Sequence, residues 1–303
     1  MANDKIEEYG LIGDCETAAL VGRDGSIDWL CWPRFDSPAC FAKLLGTAEN
    51  GRWKIVPARE HKASRRYRPG TLILETRYET ETGSAMVLDF MPPRDDASDI
   101  VRIVVGLTGR VTMSMELIIR FDYGRVIPWV SRRDDGTLRA IGGPDMIVLR
   151  TPVELFGENM HTVSEFEVEA GQRVPFVLTY ARSHMPIPEP IDAEKVLIDT
   201  EALWREWSSR YDPASRRGKL DLPGHWHDAA SRSLITLKAL TYAPTGGIVA
   251  APTTSLPEWL GSVRNWDYRF CWLRDSALTL FAFMSAGYYE EAGAWRDWLV
   301  RTV

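Results

Sequence analysis

From about residue 10 to residue 185, apolar side chains recur with a period of two between turn-forming dipeptides, which predicts strands with one face on a core. Leu72, Leu74, Thr76 and Tyr78 alternate with Ile73, Glu75, Arg77 and Glu79. After Thr82-Gly83 the pattern resumes at Met86, Leu88 and Phe90, predicting a hairpin. Val111, Met113, Met115, Leu117 and Ile119 alternate with Thr112, Ser114, Glu116, Ile118 and Arg120, giving one face to a core and the other mostly to water. Asp24-Gly25 and Asp135-Gly136 lie between strand-like runs, where glycine's tolerance of positive φ favours tight turns. Many short antiparallel strands without helical periodicity between them predict a β-sandwich rather than an α/β sheet.

The pattern changes at His184-Met185-Pro186-Ile187-Pro188-Glu189-Pro190, whose three prolines in five positions cannot continue a strand ladder. Three units are expected: a β-sandwich over 1–190, a helical linker over 191–222 and a helical domain over 223–303. Asp192 to Tyr211 reads as a helix with Val196, Asp199 or Thr200, Leu203 and Trp207 on one stripe, closed by Asp212-Pro213. Beyond Pro223 the period is 3.6. Ala230, Leu234, Leu237 and Thr241 share a face, Leu278, Phe281, Ala282 and Ser285 share another on Leu273 to Ala286, and a last helix carries Trp295, Trp298, Leu299 and Thr302 from near Glu290. A chain that stops inside an amphipathic helix predicts an N-terminal fragment, with Trp295, Trp298 and Leu299 left exposed or lying against the β region.

Composition narrows the function classes. With 36 basic against 42 acidic residues the net charge is −6, which provides no electrostatic footprint for nucleic acid or an anionic membrane. The N-terminus lacks an apolar signal core, and no run approaches the roughly 18 apolar residues of a membrane span, so a cytoplasmic location is expected. Cys15, Cys31, Cys40 and Cys271 have no CxxC spacing and read as reduced, mostly buried thiols. His61, His161, His184, His225 and His227 have no zinc spacing, no glycine-rich phosphate cradle follows a strand, and no Gly-x-Ser-x-Gly occurs. No metal, cofactor or covalent nucleophile is expected, and the catalytic residues stay unassigned.

The densest chemistry lies in Arg264-Asn265-Trp266-Asp267-Tyr268-Arg269-Phe270-Cys271-Trp272-Leu273-Arg274-Asp275-Ser276, where aromatic faces, guanidiniums and carboxylates crowd the start of a helix. Such side chains can stack on a sugar ring and fork hydrogen bonds to its hydroxyls. The alternative is that Arg274 and Asp275 form ion pairs in a helix bundle and the aromatics fill its core. Glu258 and Asp267 share this loop system without a partner pattern that separates an acid from a base. Asp267 reads better as a helix cap or as a partner of Arg264 or Arg269. Earlier in the chain, Asp28, Arg34 and Asp36 interleave with Trp29, Trp32 and Phe35, either as a loop reaching over a substrate site or as a strand and corner with ordinary ion pairs.

The run from Trp266 to Asp275 resembles the first substrate-binding segment of glycoside hydrolase family 15, the glucoamylase and trehalase-like proteins. Tyr9-Gly10-Leu11-Ile12-Gly13-Asp14, the stretch from Gly25 to Pro38, and Pro252 to Glu258 resemble the same family's bacterial two-domain members. The resemblance implies an α+β multidomain chain: an N-terminal antiparallel β-sandwich, a linker, and the first helices of an (α/α)6 barrel whose mouth binds a terminal glucosyl unit of an oligosaccharide or disaccharide. By motif position Trp272 would line the glucose subsite, Arg274 and Asp275 would bond its far hydroxyls, and Tyr268 would sit near the reacting centre. The family's hydrolysis proceeds with inversion, using a carboxylic acid and a carboxylate about 6.5–9.5 Å apart. Both are glutamates on later barrel loops, so they are expected beyond Val303. A non-catalytic carbohydrate-binding or folding module, or a barrel phosphorylase using phosphate in place of water, remains an alternative.

Overall fold

The computed structural model describes residues 5–95, 97–211, 226–256 and 262–303. The sequence readings at Asp212-Pro213, Pro223, His225 and Glu258 lie outside the described residues.

The period-two region forms a 15-stranded antiparallel arrangement. It begins with β1 (Tyr9–Gly13), β2 (Ala18–Gly22), β3 (Ser26–Cys31), β4 (Ala39–Phe41) and β5 (Arg52–Pro57). A meander of β6 (Lys62–Tyr67), β7 (Leu74–Glu79) and β8 (Gly83–Phe90) leads into the 21-residue β9 (Ser98–Ile118). β10 (Trp129–Arg132), β11 (Leu138–Gly142), β12 (Asp145–Arg150), β13 (Phe156–Glu158), β14 (His161–Glu169) and β15 (Arg173–Arg182) follow. The hairpin expected around Thr82-Gly83 is the β7–β8 pair. The turns at Asp24-Gly25 and Asp135-Gly136 join β2 to β3 and β10 to β11, each glycine with φ above +70°.

Strand β9 is the spine. Its first half pairs with β8 and β15, and its second half pairs with β5 and β14. The change of partners falls around Gly106 and Gly109. A β carbon at Gly106 would lie 1.9 Å from the Glu169 carbonyl oxygen, and one at Gly109, where φ is +60°, would lie 2.2 Å from that of Thr82. Only glycine fits this close approach of three backbones. From residue 111 to residue 117 the burial of β9 alternates as the sequence predicts, with Val111, Met113, Met115 and Leu117 in the core beside Trp53, Val87, Ile100, Phe176 and Leu178.

The second half of β8 departs from alternation, because Val87, Leu88, Asp89 and Phe90 are all buried. The cause is α1 (Ala193–Ser208), whose Ala193 and Leu197 cover Leu88, Phe90, Val101 and Ile103 on the outer face. Asp192 caps this helix, its carboxylate accepting from the Glu194 and Lys195 amides at 2.9 and 3.2 Å. The other end of α1 meets α2 (His227–Ala239), α3 (Leu273–Ser285) and α4 (Tyr289–Thr302) through Trp204, Trp207, Leu234, Ile235, Phe283 and Tyr288. The large antiparallel region is therefore followed by helices, as expected, and α1 is packed against both. Among the described residues no helix is long and apolar enough to cross a membrane.

Two helical faces differ from the expectation. On α1 the buried stripe is Ala193, Leu197, Thr200, Trp204 and Trp207, while Leu203 is exposed. On α3, Leu278 and Phe281 are 66% and 68% exposed, and the buried positions are Ser276, Thr279 and Phe283. The face turned inward is the one that carries Phe283, which meets Trp207 edge-on at 6.3 Å in the cluster with Tyr288. Trp295, Trp298 and Leu299 are half-buried. Trp298 turns toward the β region, lining a cavity with Phe35 and Tyr242.

One buried ion pair stands out in the β region. Asp89 and Arg102 face each other across β8 and β9, are 1% and 0% exposed, and bond through Nε at 2.7 Å. The same guanidinium donates to the carbonyls of Trp53 at 2.7 Å and Gly25 at 2.8 Å. It thus ties β5 and the β2–β3 turn to the spine. Removing one partner leaves an uncompensated buried charge, so Asp89→Ala is expected to lower the unfolding free energy by about 3–5 kcal/mol. Urea denaturation checks this, and Asp89→Leu combined with Arg102→Met should cost less than the single change.

Candidate functional site

The segment from Arg264 to Ser276 enters α3 as an extended loop held on both sides. Its backbone pairs with residues 250 and 251, the Ala250 amide donating to Phe270 at 3.2 Å and the Ala251 amide to Tyr268 at 2.9 Å. The indole of Trp29, buried in β3, donates to the Pro252 carbonyl at 2.7 Å. Leu256, like Tyr123, packs on the cluster of Leu20, Trp29 and Leu44. The loop is therefore tied to the β region along its length from Asp267, while Trp266 and Phe270 stay about half exposed.

Arg269 anchors it. Although a charged residue, it is 7% exposed. Its Nε and Nη2 donate to the Asp267 carboxylate at 3.0 and 2.7 Å, and Asp267 also accepts from the Arg269 amide at 3.1 Å. Nη1 reaches the other way, to the Ser37 carbonyl at 2.8 Å, the Tyr123 hydroxyl at 2.8 Å and the Cys31 sulfur at 3.3 Å. Burial raises the Asp267 carboxyl, but the bonds from Arg269 outweigh it and hold the group below the usual carboxylate range. Burial pushes the Cys31 thiol up to about 12, so a neutral sulfur accepts from the cation.

Of the residues singled out from the sequence, Tyr268 and Trp272 come together, their rings 5.4 Å apart and tilted by 32°. Trp266 meets Trp272 edge-on at 6.4 Å. The Trp272 indole donates to the Asp267 carbonyl at 3.1 Å, so the ring hangs from the residue that Arg269 clamps. Trp272 is the last extended residue before α3. Arg274 and Asp275 follow in the first turn and pair with each other at 3.2 Å, with Arg274 exposed. Asp275 there also faces the positive end of the helix dipole. Two pairs thus share the entrance to α3: an aromatic pair and an exposed guanidinium–carboxylate pair.

The stretch from residue 25 to residue 38 divides. Asp28 is fully buried, accepting from Tyr9 at 2.9 Å, Lys43 at 2.6 Å and Ser26 at 2.5 Å, and it serves the β region. Arg34 and Asp36 form a two-pronged pair at 2.9 and 2.6 Å. They line a cavity of about 220 Å³ with Tyr242, Phe270, Cys271 and Trp298, on the flank of the site segment. The pairing of Asp267 with Arg269 was readable two positions apart in sequence. Arg269's attachment to Ser37 and Tyr123 was not, because those partners lie 232 and 146 positions away. Among the described residues no cluster of three or more histidine, cysteine or acidic side chains could hold a metal ion.

Comparison with known proteins bears on this geometry. The family described as trehalase-like, N-terminal matches residues 1–191, and that described as glycosyl hydrolases family 15 matches residues 224–303. A trehalase of Mycolicibacterium smegmatis is 35% identical over 315 residues, a match that covers 95% of this chain and 46% of that protein. A trehalase of Mycobacterium tuberculosis is 33% identical, with 95% and 45% covered. The chain spans about half the length of the curated relatives it matches. A solved bacterial glucoamylase complexed with acarbose shares the fold at a TM-score of 0.70 and 12% identity, covering 100% of this chain and 50% of that one.

The depressed acidity of Asp267 has a testable sign. A carboxyl whose folded pKa lies below its unfolded value adds stability that is complete above about pH 4 and fades as the pH falls through the folded pKa. Asp267→Asn should therefore melt at a lower temperature than the parent at pH 7. The gap should narrow as the pH is taken below about 4, as calorimetry over a pH series will show.

Proposed function

The chain belongs to the trehalase-like proteins of glycoside hydrolase family 15, and we propose that it forms part of an enzyme releasing glucose from an α-linked glucoside by hydrolysis with inversion. Trehalose heads the substrates to try, because the similar curated proteins are trehalases, and malto- and isomalto-oligosaccharides follow. The observation that carries the reading is the Tyr268–Trp272 aromatic pair set directly before Arg274 and Asp275 at the start of α3, within the residues matched by the family. An aromatic face takes the C–H side of a sugar ring, and the adjacent guanidinium and carboxylate bond its hydroxyls. In this reading Trp272 lines the glucose subsite, Arg274 and Asp275 hold the far hydroxyls, and Tyr268 stands near the reacting carbon.

In the same reading the strands over 1–190 form a β-sandwich, 191–222 a helical linker, and 223–303 the opening of an (α/α)6 barrel, in a cytoplasmic protein that needs no cofactor. Inversion requires a protonated acid on the leaving oxygen and a carboxylate activating water on the opposite face. Among the described residues, two carboxylates beside the site loop are engaged elsewhere: Asp267 by Arg269 and Asp36 by Arg34, whose bonds hold the Asp36 carboxyl below its usual range. Neither is poised as a neutral acid. We therefore assign the acid and the base to residues outside these 303, which the greater length of the relatives allows.

The test is glucose release from trehalose, maltose and isomaltose by the whole protein and by the 303-residue chain alone. The whole protein is expected to turn over at least one of these sugars without phosphate, and the 303-residue chain none. Turnover by the short chain contradicts the assignment of the acid and base, and glucose 1-phosphate formed in phosphate buffer contradicts hydrolysis. In the whole protein, Arg274→Leu or Asp275→Asn should each lower kcat/KM by roughly 10- to 150-fold, the equivalent of about 1.5–3 kcal/mol for a charged hydrogen bond.

A further inference from the structure

We propose that the β region is part of the machinery that holds substrate, with Tyr123 as a positioning residue that acts on the Tyr268–Trp272 pair through Arg269. The proposal rests on the reading of that pair as glucose-binding. A guanidinium cannot shed its proton, so a buried one has to keep its partners. Arg269 divides its donors between two parts of the chain, with Asp267 on the site loop and Ser37, Tyr123 and Cys31 on the β side. The Asp267 carbonyl then carries the Trp272 indole at 3.1 Å, and the Tyr268 carbonyl is tied to Ala251 at 2.9 Å. The connection from the β region to the aromatic pair is a short chain of hydrogen bonds: Tyr123, Arg269, Asp267, Trp272.

Tyr123 is built for a fixed place. Its backbone lies in the left-handed region, φ 57° and ψ 31°, and Asp122 before it has φ 49°. Bulky residues hold that conformation only where their surroundings impose it. Its ring lies under the Arg269 guanidinium at 5.7 Å and beside Trp29 at 6.4 Å. Trp29 in turn holds the loop at Pro252. Ring and hydroxyl together set where the cation sits, and the cation sets where the platform sits. Catalysis is sensitive to such placement, since a misplacement of about 1 Å can cost roughly 100-fold in rate.

The experiment compares Tyr123→Phe, Trp272→Ala and their combination in the whole protein, measuring kcat, KM and Tm on whichever of trehalose, maltose and isomaltose the wild type cleaves best. Tyr123→Phe keeps the ring and removes the hydroxyl. It is expected to lower kcat/KM roughly tenfold or more, alongside the fall in Tm that a lost partner of buried Arg269 brings, and to add nothing to the kinetic loss in the Trp272→Ala background. An unchanged kcat/KM, a fall in Tm alone, or an equal loss on both backgrounds overturns the proposal. Where Tyr123→Phe fails to fold, Arg269→Lys, which keeps the charge and loses the fork, is read by the same criteria. A silent Trp272→Ala, or a wild type inactive on all three sugars, removes the glucose-site reading and this proposal with it. An active Trp272 effect beside a silent Tyr123→Phe removes the proposal alone.

Discussion

The arrangement depends on a buried guanidinium that belongs to two regions at once. Arg269 is fixed by Asp267 on its own loop and by Ser37, Tyr123 and Cys31 of the β region, at distances that leave it little freedom. The energetic weight of such a cation lies less in net attraction than in the penalty for separating it from any partner. That asymmetry turns an irregular loop, which would otherwise sample many conformations, into a defined surface carrying Trp266, Tyr268 and Trp272.

A loop can be only as rigid as the surface it is tied to, and two features stiffen that surface. Asp89 and Arg102 lock β8 to β9 and reach the Trp53 and Gly25 carbonyls, while the glycine pair at 106 and 109 lets one strand serve two sets of partners. Helix α1 then closes the outer face with Ala193 and Leu197 and offers Trp204 and Trp207 to the other helices. Glu291 of α4 adds a polar tie across the same contact, accepting from Trp207 at 2.6 Å and Lys238 at 3.1 Å. The entrance to α3 is thus braced from the sheet side and from the helix side.

Much of this was legible from residue order. Strand alternation at the end of β7 and over residues 111–117 of β9, and the Asp-Gly turns, are local signals, set by backbone sterics and by one buried face. The face of α3 was not legible: Leu278 and Phe281 are the obvious hydrophobes, yet the buried positions are Ser276, Thr279 and Phe283, the last of them in the cluster with Trp207 and Tyr288. Asp28 reads in sequence like a member of a polar–aromatic surface motif, and its burial becomes intelligible only once Tyr9, Ser26 and Lys43 surround it. The aromatic and charged run at 264–276 was visible as candidate chemistry. What seats it was hidden, because hydrogen bonds spanning well over a hundred positions leave no local pattern.

In the proposed reading Tyr268, Trp272, Arg274 and Asp275 together form one wall of a glucose site. A crystal structure of the whole protein soaked with glucose tests this most directly. A sugar ring is expected against Trp272 beside Tyr268, with Arg274 and Asp275 within hydrogen-bond distance of its hydroxyls and Arg269 still bonded to Asp267 and Tyr123. Glucose bound in a pocket that contains none of these four side chains would contradict it.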